Sequence, residues 1–311
     1  MFPYWSYFKD IAIMIEGQNG LTWPCWQNLA AAVEDKCFAG LYRSDHFTNA
    51  TPPDKESLEL WVSLTWLASH TRRIEFGPLV SPVSFRHPAL TARMAAAVDD
   101  LSGGRLTLGL GAGWQEREHT LFGFELMDLV SRFYRFEEGL EVVTRLLKSS
   151  QPVTYEGKYY QLHAASLLPP PVRRGGPPIL IGGNGEKRTM SLVVKFADEW
   201  NAVFLPPAEF ARLSSRLDGL LREAGRAPKS VKRSMMAGML FGRIQKKLDE
   251  QLSARHQTVE ELRKSGVEVG VGQEVFEQLK GLEASGLQRI MLQWLDLDDL
   301  KSLAALAKSV L

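Results

Sequence analysis

Hydrophobic and polar residues follow two recurring patterns along this chain, one typical of buried strands and the other of amphipathic helices. Short apolar runs bounded by glycine or polar residues predict strands. Between these runs, apolar residues recur at helical spacing, as Leu90, Met94 and Leu101 do, which predicts helices with one buried face. The chain yields eight predicted strands, at 11–15, 40–42, 74–80, 106–110, 179–181, 198–202, 234–240 and 289–292.

Predicted helices fill the intervals between these strands. They cover 24–37, 58–68, 90–101, 131–148, 187–196, 208–223, 245–265, 273–284 and the C-terminal segment. A strict alternation of strand and helix predicts a parallel sheet, because each helix returns the chain to the same end of the sheet. Eight such units favour a closed (β/α)8 barrel over an open, doubly wound sheet. We therefore expect one α/β barrel domain that spans 1–311.

One segment interrupts this alternation. The stretch VTYEGKYYQL, residues 153–162, predicts a β-hairpin that turns at Gly157. It is followed by LLPPPVRRGGPP, residues 167–178, whose prolines and glycines are typical of a loop. We expect 150–178 to form an insertion over the mouth of the barrel.

Composition narrows the class of protein. With 45% hydrophobic residues, 23% charged residues and a net charge of +1, the chain is typical of a globular protein that binds neither nucleic acid nor a membrane surface. Its N-terminus has no signal-peptide pattern and no apolar run is long enough for a bilayer, so we expect a cytoplasmic location. Cys25 and Cys37 have no zinc-type spacing, which predicts reduced thiols and no metal site.

In a parallel barrel, the chemistry is expected where strands end and loops begin. RSDHF, residues 43–47, follows the second predicted strand and places Asp45 beside His46. An imidazole that titrates near neutrality, next to a carboxylate, is typical of proton transfer. A plain alternative is that Asp45 caps the loop and that His46 is merely half-buried.

The loop after the third strand, residues 80–88, carries Arg86 and His87 in front of Pro88. Arg86 is a candidate partner for a carboxylate. We interpret His87 as structural, since Pro88 suits the first turn of the next helix.

The fourth strand ends in LGLGAGW, residues 108–114. This G-x-G-x-G pattern lacks the helical glycine of a dinucleotide fingerprint. Small residues such as Gly111 and Gly113 would instead let a flat ring approach the strand ends, with Trp114 at its border. Glu118 is a candidate catalytic residue, although a solvated loop is the simpler interpretation of this polar cluster.

The stretch PPILIGGNGEKRT, residues 177–189, predicts a strand, a glycine cluster and the start of a helix. Backbone N–H groups at a helix start attract anions. The P-loop lysine spacing is missing, which argues against nucleotide hydrolysis. We therefore expect the phosphate of a cofactor or substrate at Gly182, Gly183, Asn184 and Gly185.

Together these stretches resemble the superfamily of luciferase-like flavin and deazaflavin oxidoreductases, which are (β/α)8 barrels. The resemblance is carried by RSDHF, by PPILIGGNGEKRT, by ADEWN at 197–201 and above all by RHPALTARMAAAVDDLSGGRLTLGLGAGW at 86–114. RSDHF, GEKRT and ADEWN are most similar to a subfamily described as probable coenzyme F420-dependent enzymes.

This resemblance implies roles for individual residues. His46 would face the reactive part of the ring, and the Pro78–Leu79 junction would form a strand-three bulge that often has a cis peptide. Pro78 differs from the small residue usual in relatives. The resemblance further implies that Gly111, Gly113 and Trp114 border the ring and that Gly182, Gly183, Asn184 and Gly185 hold the cofactor phosphate.

The implied function is hydride transfer between a deazaflavin, coenzyme F420, and a small organic substrate. Two alternatives remain open: an FMN-dependent monooxygenase, and a barrel that binds the ring without turnover. Basic residues near the phosphate loop, which an acidic cofactor tail would need, are Arg173, Arg174, Lys187 and Arg188. We also expect a homodimer or a higher homo-oligomer.

Overall fold

A computed structural model describes residues 10–311 of the protein. The first nine residues, including most of the N-terminal stretch considered above, lie outside the described residues. The strands are β1 (Ile11–Ile15), β2 (Gly40–Arg43), β3 (Glu75–Pro78), β4 (Ser81–Pro82), β5 (Leu108–Gly111), β6 (Val153–Glu156), β7 (Gln161–Ala165), β8 (Ile179–Gly182), β9 (Glu199–Val203), β10 (Lys232–Gly242), β11 (Val267–Val271) and β12 (Arg289–Gln293). The α-helices are α1 (Trp23–Asp35), α2 (Leu60–His70), α3 (Pro88–Leu101), α4 (Glu116–Phe122), α5 (Leu129–Lys148), α6 (Arg188–Phe196), α7 (Pro207–Glu223), α8 (Gln245–Arg255), α9 (Val259–Lys264), α10 (Gly272–Ala284) and α11 (Leu300–Val310).

The predicted barrel is confirmed. The strands pair in parallel in the order β3–β2–β1–β12–β10–β9–β8–β5–β4, and β4 continues the path of β3. A single parallel bridge between Phe76 and Leu106 connects β3 to the chain just before β5. The sheet is therefore nearly closed into a barrel, and the helices lie around its outside.

Strand residues alternate between two apolar layers, because successive side chains of a strand point to opposite faces. On β1, Ile11, Ile13 and Ile15 belong to the large cluster between strands and helices. Ala12 and Met14 belong to a smaller cluster inside the barrel. A parallel sheet covered by helices buries both faces, which is why these strands read as continuous apolar runs.

The hairpin β6–β7 confirms the predicted insertion. The carboxylate of Glu138, on α5, accepts hydrogen bonds from the backbone N–H groups of Lys158, Tyr159 and Tyr160 at 2.8–3.2 Å. These bonds hold the hairpin against the outer side of α5. Among the described residues, those of 150–178 do not line the cavity at the mouth.

A second insertion was not predicted from the sequence. The first part of β10 belongs to the barrel, whereas Gly238–Gly242 also pairs with the additional strand β11. Two helices, α8 and α9, connect β10 to β11. This accessory unit, residues 239–271, has its own small core of Leu240, Leu248, Leu262 and Val269.

Charged residues fill the barrel at the amino ends of its strands. The Arg289 side chain, 3% exposed, donates to Asp10 Oδ1, Tyr42 Oη and Glu75 Oε2, each at 2.6 Å. Glu199 lies 3.8 Å from the same guanidinium and is also buried. This network closes the end of the barrel opposite to the predicted site.

Candidate active site

A cavity of about 590 Å³ opens at the carboxyl ends of the barrel strands, above the inner apolar cluster. Every barrel strand or the loop after it contributes to its wall, as do the first turns of α5. Ligand sites in this fold lie at this end of the barrel. The predicted site residues are therefore expected around this cavity.

His46 and Glu118 meet in this cavity. His46 Nδ1 lies 2.8 Å from Glu118 Oε1, and Glu118 Oε2 accepts the backbone N–H of Phe47 at 3.1 Å. The His46 side chain is 17% exposed and that of Glu118 is 1% exposed. Both carboxylate oxygens therefore hold the loop after β2, and one ring nitrogen remains for another partner.

The charges around His46 favour its protonated form. Burial acts to lower the pKa of His46, but the hydrogen bond and negative charge of Glu118, together with Glu16 and Asp45, raise it above the ordinary value. A histidine with a raised pKa keeps its proton to a higher pH than an ordinary histidine does, which suits a proton donor.

Arg43 explains the position of the loop that carries His46. Its buried guanidinium donates to Ser63 Oγ at 2.6 Å, to the Leu58 carbonyl at 2.7 Å and to the Ser44 carbonyl at 3.2 Å. Burial lowers the pKa of Arg43 to about 10, so the side chain remains a cation at neutral pH. The RSDHF stretch is thereby anchored to α2.

Asp45 does not have the role expected from its place beside His46. Its carboxylate accepts from Ser81 Oγ at 2.7 Å and forms an ion pair with Arg86, which also binds Glu59 at 2.7 Å. Successive residues of an extended segment point in opposite directions, so Asp45 turns away from the ring of His46. The structure corrects this expectation: Glu118 is the carboxylate that orients His46, and Asp45 fixes the loop after β3.

Glu16 was missed by the sequence analysis. It follows β1 and lines the cavity, where Gln293 Nε2 donates to its Oε1 at 2.8 Å and Gln18 Nε2 to its Oε2 at 3.1 Å. The position rule that identified His46 also applies to the end of the first strand. Applied there, it would have identified Glu16.

The bulge after β3 begins one residue later than expected. The cis peptide joins Leu79 to Val80, and not Pro78 to Leu79. Pro78 still pairs with Arg43 in the sheet, and its carbonyl lies where a side chain on Gly109 would be, 2.1 Å from an added Cβ. Leu79 and Val80 line the cavity, whereas Pro78 does not.

Gly111, Gly113 and Trp114 all line the cavity. A Cβ at Gly111 would lie 2.6 Å from Val80 Cγ2, and Gly113 has a φ of +84°, which favours glycine. Trp114 is 63% exposed and its ring lies edge-on to His46, with 5.4 Å between centroids. Bare backbone and one exposed aromatic ring therefore border the cavity next to His46.

The glycine loop after β8 reaches the cavity with Gly182, Gly183 and Thr189. The N–H of Gly183 already donates to the Asn201 carbonyl at 2.9 Å, so it is not available to an anion. Asn184 does not line the cavity, because its side chain pairs with the backbone of Val203 at 2.8 and 2.9 Å.

Gly185 shapes the same loop without lining the cavity, since its carbonyl accepts from Met190 N at 3.0 Å. The helix that follows, α6, has no side-chain hydrogen bond at its N-cap, Lys187. The first backbone N–H groups of α6 are therefore not engaged by a capping side chain.

The expected basic cluster divides into two separate parts. Arg173 pairs with Asp99 at 3.2 Å and lies against Gly104, at the opposite end of the barrel, and Arg174 lies in the same turn. Lys187 and Arg188 line a groove between α5 and α6, where Arg188 lies 5.7 Å from the ring of Phe133. Only the second pair adjoins the cavity.

Residues 10–311 contain no cluster of three or more histidine, cysteine, aspartate or glutamate side chains that suits a metal ion. None of their helices combines the length and the apolar character that crossing a bilayer needs.

Known proteins share this architecture. A phthiodiolone/phenolphthiodiolone dimycocerosates ketoreductase of Mycobacterium tuberculosis is 30% identical over 258 residues, which are 82% of this chain and 66% of the relative. The chain thus spans just under two thirds of that relative's length. An F420-dependent secondary alcohol dehydrogenase, solved with an F420-acetone adduct, has a TM-score of 0.85 at 18% identity and covers 97% and 98% of the two chains.

A Baeyer–Villiger monooxygenase of Pseudomonas putida, solved with FMN, has a TM-score of 0.74 at 16% identity, covering 97% of this chain and 98% of its own. At these identities the solved structures establish a common fold only. The family model of luciferase-like monooxygenases matches residues 15–292, nearly the whole chain. The protein is therefore a member of the luciferase-like monooxygenase family of oxidoreductases.

Proposed function

We propose that the protein is a coenzyme F420-dependent oxidoreductase that transfers a hydride between the deazaflavin and the carbonyl or hydroxyl carbon of a small organic substrate. The observation that carries this proposal is the pair formed in the cavity by the half-buried His46 and the buried Glu118. Similarity to a ketoreductase and to an F420-dependent alcohol dehydrogenase supports the same reaction class.

Several features of the cavity support the binding of a flat ring with a phosphate at one end. Leu79 and Val80 would support one face of the ring, and Gly111 leaves the space beside Val80 that a side chain would fill. The start of α6, next to Gly183 and Thr189, would hold the phosphate. When bound there, a deazaflavin supplies a ring carbon that accepts or gives a hydride.

His46 would manage the proton that accompanies this hydride. Reduction of a ketone adds a hydride to carbon and a proton to oxygen, and oxidation of the alcohol reverses both. Glu118 engages Nδ1, so Nε2 is the nitrogen that remains for the substrate oxygen. The raised pKa of His46 suits donation at neutral pH.

Titration of the purified protein with coenzyme F420 and with FMN tests the choice of cofactor. We expect tighter binding of the deazaflavin, followed by slow reaction of its reduced form with oxygen, because carbon replaces the flavin nitrogen that supports oxygen chemistry. Tighter binding of FMN with rapid oxygen consumption would contradict the proposal. That result would favour the FMN-dependent monooxygenase. The similarity to the FMN-bound structure supports this alternative.

A substrate panel of ketones and secondary alcohols then tests turnover. Hydride transfer to or from at least one of them is expected with the bound deazaflavin. Tight binding without transfer across the panel would instead favour the barrel that holds the ring without catalysis.

A further inference from the structure

We infer that the substrate is an uncharged ketone or secondary alcohol with an extended apolar chain, which leaves the cavity across Leu129 and Trp114. This inference rests on the proposed function, because it takes His46 as the group that faces the substrate oxygen. It adds the charge and the shape of the molecule that the site accepts.

The charges in the cavity argue against an anionic substrate. Glu16 and Glu118 both act on His46, and each raises its pKa. Apart from His46, the basic side chain among the described lining residues is Arg132. Its guanidinium donates to the carbonyls of Gly113 at 2.8 Å and Met127 at 3.2 Å. Together with protonated His46, the carboxylates of Glu16 and Glu118 carry a net charge of −1 around the group that would face the reacting carbon, which disfavours a carboxylate or phosphate there.

The remaining walls argue for an apolar substrate. Besides the residues considered above for the ring, the cavity is lined by apolar side chains of α5 and of the strand ends: Leu129, Phe133, Phe136, Phe204 and Met236. A site with such walls and a few polar groups at one end binds molecules with one polar group and an apolar body. The polar end here is His46.

The rim shows where an extended chain would leave. Leu129 is 55% exposed and Trp114 is 63% exposed, although both line the cavity. Exposed apolar side chains at the edge of a pocket mark a surface that a ligand covers. Because these two residues form the wall of the cavity itself, the ligand that covers them is the one that enters it. A second copy of the chain on this rim is the competing occupant.

A series of methyl ketones measures this preference. With the reduced deazaflavin as hydride donor, we compare kcat/KM for acetone, 2-pentanone, 2-nonanone and the charged analogue 2-oxononanoate. Each methylene that becomes buried should raise kcat/KM about four-fold. We expect 2-oxononanoate to be at least about ten-fold poorer than 2-nonanone, since its carboxylate lies next to the carbonyl.

A charged side chain at the rim should reduce the increase of kcat/KM with the length of the ketone's chain. Leu129→Glu suits the first turn of α5, where an acidic side chain is favourable, so the variant should fold. It should abolish most of the gain from 2-pentanone to 2-nonanone. The matched control Leu101→Glu lies at the end of α3, away from the cavity, and should leave the gain unchanged.

Calorimetric titration of the cofactor-free protein with 2-nonanone gives a readout independent of activity. Binding that weakens in Leu129→Glu but not in Leu101→Glu supports the inference.

If the deazaflavin binds and ketones are reduced with no effect of chain length on kcat/KM, the inference is wrong and the proposed function stands. The same holds if kcat/KM for 2-oxononanoate equals that for 2-nonanone. If no deazaflavin binds, the proposed function fails, and the calorimetric result alone decides the inference. A changed oligomeric state of Leu129→Glu, without a changed ketone series, would assign the rim to a second copy.

Discussion

The two ends of this barrel both contain buried charge but arrange it in opposite ways. At the amino ends of the strands, Arg289 donates to an aspartate, a tyrosine and a glutamate at 2.6 Å. At the carboxyl ends, His46 has one nitrogen engaged by Glu118 and lies beside an open cavity. In the first arrangement each nitrogen of the guanidinium donates to a partner, whereas the second combines an open space with a titrating group.

This difference suggests a division of roles: the amino ends of the strands serve stability, and the carboxyl ends serve ligand binding and chemistry. Removal of one member of a buried charge network leaves uncompensated buried charge and destabilises the folded state. A partly paired histidine at the edge of a cavity can exchange a proton with a ligand. In (β/α)8 barrels, catalysis belongs to the carboxyl ends of the strands and stability to the other end. Four changes test whether this protein follows that division.

The largest effect is expected at the open end. His46→Ala should lower turnover by about 10²- to 10⁴-fold, the usual contribution of a positioned acid or base, with little change in cofactor affinity. Steady-state kinetics and a cofactor titration measure both. His163→Ala, on the exposed side of the hairpin, is the matched control. Normal turnover in the His46 variant would make this residue structural.

At the closed end, Arg289→Met should lower the free energy of unfolding by about 3–5 kcal/mol, because Glu199 then lies buried without its cation. The urea midpoint measures this loss. Arg222→Met, which breaks an exposed pair with Asp218, should change it by less than about 1 kcal/mol. If the Arg289 variant keeps its stability and loses cofactor affinity, the amino ends of the strands are not the part of the barrel that serves stability alone.

Gly183→Val tests the anion site. Gly183 has a φ of +123°, which a branched residue adopts poorly, and a Cβ there would lie 3.5 Å from Thr189 Cγ2. The distorted start of α6 should weaken cofactor binding about ten- to a hundred-fold. The control Gly219→Val has no atom within 4 Å of the added Cβ. Equal affinity in a folded Gly183 variant would remove the loop from the site.

The smallest expected effect is a shift in the pKa of His46. Glu118→Gln removes the negative charge that raises the pKa of His46, so that pKa should fall and His46 should lose its proton at a lower pH. NMR of the imidazole nitrogens follows this directly, with Glu116→Gln as control. In the native protein the raised pKa stabilises the fold at pH values below the unfolded pKa, near 6.5, and this contribution disappears as the pH rises through the folded pKa.

Sequence patterns predicted the barrel because its strands are short, apolar and separated by helices of strong periodicity. They missed β11, since residues 267–271 form a strand only through pairing with the extended end of β10. A prediction of one helix over 245–265 also failed. His256 adopts a left-handed conformation and Thr258 caps a new helix, so the region divides into α8 and α9.

The site could be predicted where position along a strand decides it, as for His46 and Gly111. Contacts between distant segments could not be predicted. Glu118 lies 72 residues from His46 and reaches it only because α4 folds back over the loop after β2. Asp45 stands next to His46 in sequence, yet the local backbone turns it toward Arg86.

The accessory unit, residues 239–271, has a core of its own and contacts one wall of the cavity. Its apolar side chains pack mainly with one another, so it can open while the barrel core stays buried. Such a unit should exchange its amide hydrogens as a separate foldon, ahead of the barrel strands. It also touches the barrel closely at Gly266, where a Cβ would lie 2.3 Å from the carbonyl carbon of Phe204. Phe204 lines the cavity, so we expect local opening of this unit to change the cavity wall at Phe204.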